Sequence, residues 1–83
     1  MHKQWTAIIL AGQRPGGDPL AAHFSVPYKA LVPLAGEAML THVLRAVHAC
    51  PDIGDVIVLG QQPDMLAGAA AAGGGAQMRQ SGA

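Results

Sequence analysis

The 83-residue chain holds one cysteine, Cys50, so an internal disulfide framework is excluded. Aromatic side chains are scarce, with Trp5, Phe24 and Tyr28 alone. No charge sign dominates: five basic and five acidic residues are scattered without a Lys/Arg cluster. That balance argues against duplex nucleic acid or an anionic membrane as the main partner. No apolar run approaches the roughly 18–20 residues that cross a bilayer. The start "MHKQWTAIIL" carries only a short apolar run with no small-residue cleavage site after it, a poor signal peptide. A cytoplasmic location is expected. What remains is rich in Ala, Val, Leu and Ile, a composition suited to close-packed α/β layers rather than a small stapled scaffold. The length allows one domain at most.

Residues 6–11, "TAIILA", are a continuous apolar run ended by Gly12. Their length and β-branching predict a fully buried strand of the parallel-sheet kind. A long loop follows, from Gly12 to about Ala35, with prolines at 15, 19, 27 and 33. A regular helix through it is excluded, although "PLAAHF" has room for about one turn. Loops longer than about 12–15 residues are often functional.

"GEAMLTHVLRAVHAC" predicts a helix with Met39, Leu40, Val43, Leu44 and Val47 inward and Thr41, Arg45 and His48 outward. Glu37 is placed in its first turn, and Pro51 stops it. "DVIVLG", Asp55 to Gly60, predicts a second buried strand, completing a parallel βαβ unit. "QQPDMLAGAAAA" predicts another helix, opened by Pro63 and ended by Gly73 to Gly75. From Ala69 to Ala83 composition supports two readings equally: a third strand beginning at "QMRQ", or a flexible low-complexity tail.

Ligands of open α/β sheets bind outside the carboxyl ends of the strands. The loop "GQRPGGDP" leaves such an end. Its glycines let backbone N–H groups approach phosphate oxygens, and Arg14 adds a fork of donors. Lys29 supplies a compact cation to fold over a triphosphate. Glycine and proline are also ordinary loop punctuation, so loop chemistry alone does not decide the matter. The chain has no Walker-type Gly-x-x-x-x-Gly-Lys-Ser/Thr. It also lacks Gly-x-Gly-x-x-Gly after the strand, which disfavours the usual dinucleotide fold.

Three segments carry a resemblance in order: Leu10-Ala11-Gly12-Gln13, then Pro27-Tyr28-Lys29-Ala30-Leu31, then Leu34-Ala35-Gly36-Glu37-Ala38-Met39-Leu40. Residues 6 to 60 thereby resemble the amino-terminal part of the MobA-like and sugar-nucleotide nucleotidyltransferase superfamily. The resemblance implies a three-layer, Rossmann-like α/β fold with a mostly parallel sheet, of the nucleotide-diphospho-sugar transferase type. This chain would be its first βαβ portion. It also implies transfer of an NMP moiety from an NTP to a small phosphorylated or acidic acceptor, with Mg²⁺ as cofactor and pyrophosphate as product. Leu10, Ala11, Gly12, Gln13, Arg14, Gly16 and Gly17 would bind the nucleotide, and Lys29 would be the catalytic cation. Gln13 stands where the family has a second glycine, Tyr28 is inserted before Lys29, and Ala38 replaces a usual proline. The family's metal-binding aspartate falls on a later strand, past residue 83, so the chain by itself is expected to be inactive. Asp52 and Asp55 precede the second strand, on the wrong edge for that metal. The alternative is a non-catalytic α/β module that binds a nucleotide or a partner chain.

The remaining polar residues point to no chemistry. His2, His23, His42 and His48 lack chelating spacing, and Cys50 is expected to pack at a helix end. Ser25 and Ser81 lack a nucleophile-elbow setting, and Met39 is expected in the core.

Overall fold

A computed structural model describes residues 5–12, 19–26 and 28–80. The apolar run forms strand β1 at Trp5–Leu10, and "GQ" after Leu59 closes strand β4 at Ile53–Gly60. They pair in parallel, Ala7 beside Val56 and Ile9 beside Val58, and Ala11 N–H extends the ladder to Leu59 O at 2.8 Å. Between them lie a short helix α1 (Pro19–His23), a 3-10 turn (Lys29–Leu31), strands β2 (Pro33–Leu34) and β3 (Glu37–Ala38), and helix α2 (Met39–His48). Helix α3 (Pro63–Ala72) and strand β5 (Gln77–Gln80) follow β4. Residues 77–80, which composition places equally in a strand or a tail, therefore pair in parallel with Ile57–Gly60.

The sheet order is β1-β4-β5, with the chain stepping in the same direction twice. Right-handed crossovers made in one direction bring successive helices to the same side. α2 and α3 accordingly share one core, in which Leu40, Leu44, Leu66 and Ala70 meet Val56 and Val58. Ala7, Ile9 and Met78 pack against it. The expected three layers are thus two among the described residues.

This arrangement corrects the expectation of a fully buried first strand. Side chains alternate across a strand, and only the Ala7 and Ile9 side meets helices. Ile8 is 59% exposed and Leu10 79% exposed on the other side.

The helix predicted from Gly36 begins at Met39. A two-residue turn diverts the chain first, with positive φ at Ala35 (51°) and Gly36 (84°), as a tight hairpin between β2 and β3 requires. Glu37 is therefore on a strand and not in a helical first turn. Thr41, expected outside, is buried, while Val43, expected inside, is 43% exposed. The cause is the second helix. α3 presents a surface of small residues, and Gly73 approaches so closely that an added Cβ would stand 2.7 Å from Thr41 O. Thr41 fits that seam because its hydroxyl donates to Ala69 O at 2.8 Å.

Cys50, expected to pack, is exposed beyond the end of α2. Met39 is half-buried rather than a core residue.

Candidate functional site

β1 ends at Leu10, and the chain leaves the sheet through Ala11 and Gly12. Gly12 gives room at this edge: a Cβ there would stand 3.1 Å from Gln61 Oε1, in the loop that leaves β4. The carboxyl ends of both strands thus meet at one point.

Lys29 arrives from the intervening segment. Its neighbour Tyr28 is buried in the core and donates its hydroxyl to Gln62 Oε1 at 3.1 Å. Tyr28 O accepts from Leu31 N–H at 2.9 Å, and Lys29 O accepts from Val32 N–H at 3.0 Å, which closes the 3-10 turn. Val32 is buried beneath it, and Val32 O accepts from Met39 N–H at 2.9 Å. A buried phenol, a 3-10 turn and the start of α2 therefore fix the Lys29 backbone.

These pieces surround a cavity of about 190 Å³. Leu10, Ala11, Gly12 and Lys29 line it together, and Ile9, Ala30, Met39, Leu40 and Val43 complete its walls. Four residues singled out by the sequence reading thus converge. Gln13, Arg14, Gly16 and Gly17 lie outside the described residues. Whole-ligand pockets usually occupy about 300–1,000 Å³. The smaller volume suits a base-sized ring, with charged groups of a ligand outside it. Among the described residues Lys29 is the lining's one charged side chain, and its sign favours an anion.

The Mg²⁺ implied by the resemblance does not fit these residues. Mg²⁺ takes oxygen ligands, usually including a carboxylate, and among the described residues the lining contains none. Among the described residues no three His, Cys, Asp or Glu side chains stand close enough to hold a metal. Asp52 O accepts from Trp5 N–H, and Asp55 pairs with Thr6, both at the amino end of the sheet.

The two helical histidines secure the fold. His42 Nε2 donates to Leu34 O and His48 Nε2 to Gly75 O, each at 2.7 Å. Glu37 and Arg45 form a two-pronged ion pair at 2.7 and 2.9 Å. The Arg45 hydrogen bonds hold the Glu37 carboxyl below its ordinary value, Arg45 and His42 charges adding to the effect and partial desolvation opposing it. Glu37 in turn raises Arg45.

Sequence reasoning noted Tyr28 but not its bond to Gln62, because an aromatic and an amide 34 residues apart carry no periodic signal. The available signal was the insertion of Tyr28 before Lys29, a large aromatic in a chain that has few.

No described helix is long and apolar enough to cross a membrane. Comparisons with protein-family models, curated proteins and solved structures give no match for this chain.

Proposed function

We propose that the chain binds a nucleoside triphosphate at the carboxyl end of β1 and forms the nucleotide-binding part of a nucleotidyltransferase of the nucleotide-diphospho-sugar transferase type. The observation that carries this reading is the convergence of Leu10, Ala11, Gly12 and Lys29 on one cavity. The apolar walls take the base, and Lys29 takes phosphate charge. In the reaction, an acceptor oxygen forms a bond to the α-phosphorus while the bond to the bridging oxygen breaks, and pyrophosphate leaves. Positioning and charge neutralisation supply most of such catalysis. This chain's contribution is the bound base and the Lys29 cation, with no step assigned to a metal.

Calorimetric titration with each of the four common nucleoside triphosphates tests the reading. At least one should bind, and Lys29→Ala should weaken it about tenfold, the scale of one charge-assisted contact. Absence of binding at millimolar nucleotide, or equal affinity in the variant, overturns it. The second reading is a module that binds a nucleotide or a partner chain without turnover. Binding without pyrophosphate release, in the presence of Mg²⁺ and candidate acceptors, selects that module.

A further inference from the structure

The side of the sheet away from α2 and α3 displays Ile8 and Leu10 beside Ile57 and Leu59, by register and alternation. None of the four belongs to the helix-side core. Asp55 lies at one end of this face, beside Thr6. Arg79 lies at the other, beside Leu59, and its guanidinium donates to Gln77 Oε1 two residues away. Neither has an opposite charge to pair with among the described residues, where Glu37–Arg45 is the ion pair formed. With Asp55 at one end, Arg79 at the other beside Leu59 and Leu10, and Ile8 and Ile57 at the level between, the charges of the face are complementary to their own reversal.

We propose that this face docks a second copy of the chain, face to face and antiparallel. A two-fold axis between the faces can run along the strands or across them. Along the strands it lays β4 over β4 in the same direction, so Asp55 meets Asp55. Across them, at the level of Ile57, it brings the Asp55 level over the level of Leu59 and Arg79. With sheets about 10 Å apart and strands about 4.8 Å apart, Asp55 and the second copy's Arg79 stand roughly 11 Å apart at the backbone. Extended arginine and aspartate side chains span that distance. The arrangement forms two such pairs, stacks Ile8 and Ile57 on their counterparts, and sets Leu10 over Thr6 and the Leu59 level over that of Asp55. Like charges opposed in the other orientation disfavour it.

Three strands about five residues long give a face of only about 14 by 17 Å. A standard interface buries about 800 Å² per partner. The dimer is therefore weak, below the standard size of specific interfaces. The proposal does not rest on nucleotide binding. Leu10 alone is shared with the cavity, whose other walls lie on the α2 side or at the strand end.

Sedimentation equilibrium at low salt, from about 10 µM to 1 mM chain, tests it. A monomer–dimer equilibrium is expected. Asp55→Arg and Arg79→Asp should each weaken it at least tenfold, and the double swap should restore it. Arg79→Gln, which adds no new charge, should also weaken it and serves if a reversal variant fails to fold. Three results overturn the proposal: a monomer at 1 mM, a dimer indifferent to these changes, or no rescue by the double swap. A monomer would leave the face to a further α/β segment. Indifference to the swaps would point to another surface, such as the open edge of β1.

Discussion

Thr41 shows how much one hydroxyl can decide. At the end of α3 the Gly73 N–H bonds to Ala70 O, and the Thr41 hydroxyl reaches Ala69 O instead. Thr41→Val keeps the shape of the side chain but removes that donor inside a buried seam. Urea denaturation should show a loss of about 1–2 kcal/mol, the usual cost of stranding a buried carbonyl. Periodicity could not foresee this residue, because threonine reads as polar and its helical angle lies at the edge of the apolar stripe. Lys29 drew notice for the opposite reason: it belongs to a short local motif, and the structure places it in the cavity lining. What holds it, the Tyr28–Gln62 bond, joins distant residues through three-dimensional packing and leaves no local mark.

At the scale of elements, the β2–β3 hairpin and α2 are clasped by the Glu37–Arg45 pair, eight residues apart. The folded state lowers the pKa of Glu37 below its ordinary 4.5. Its stabilising effect is accordingly full above that value and lost as pH falls through the lowered folded value. Lowering pH from about 5 to 3 should reduce the thermal midpoint less in Glu37→Gln than in the parent, as followed by circular dichroism. The pair is exposed and salt-screened, so the difference should shrink in high salt.

Both long strands and both long helices were readable from hydrophobic pattern, glycine and proline. The displaced start of α2 was not. A two-residue turn with a non-glycine residue at positive φ, Ala35, lacks the Asn-Gly or Asp-Gly signature that usually announces a hairpin.

For the molecule as a whole, the governing fact is that helices cover one face of the sheet among the described residues. Marginal domains have about 0.05 kcal/mol of stability per residue, which gives about 4 kcal/mol for 83 residues. An unburied second face keeps the chain near that low figure. Denaturant melts should return roughly 3–5 kcal/mol, with a midpoint that rises with protein concentration if the two copies associate. Sequence pattern pointed to the parallel sheet but not to its bare side. A continuous apolar run reads the same whether one face or two are covered, since coverage depends on the direction of crossovers and not on the run itself.

The pairing of Ile8 with Ile57 has a consequence in time. These partners lie 49 positions apart in the chain, so β1 does not have its partner until β4 has been made. At about 5–20 residues per second, synthesis of that stretch takes roughly 2–10 s. Throughout it the nascent "WTAIIL" segment is an unpaired, sticky strand, while the hairpin and α2 can close on local contacts alone. Folding of this chain is therefore gated by its first strand waiting for its fourth.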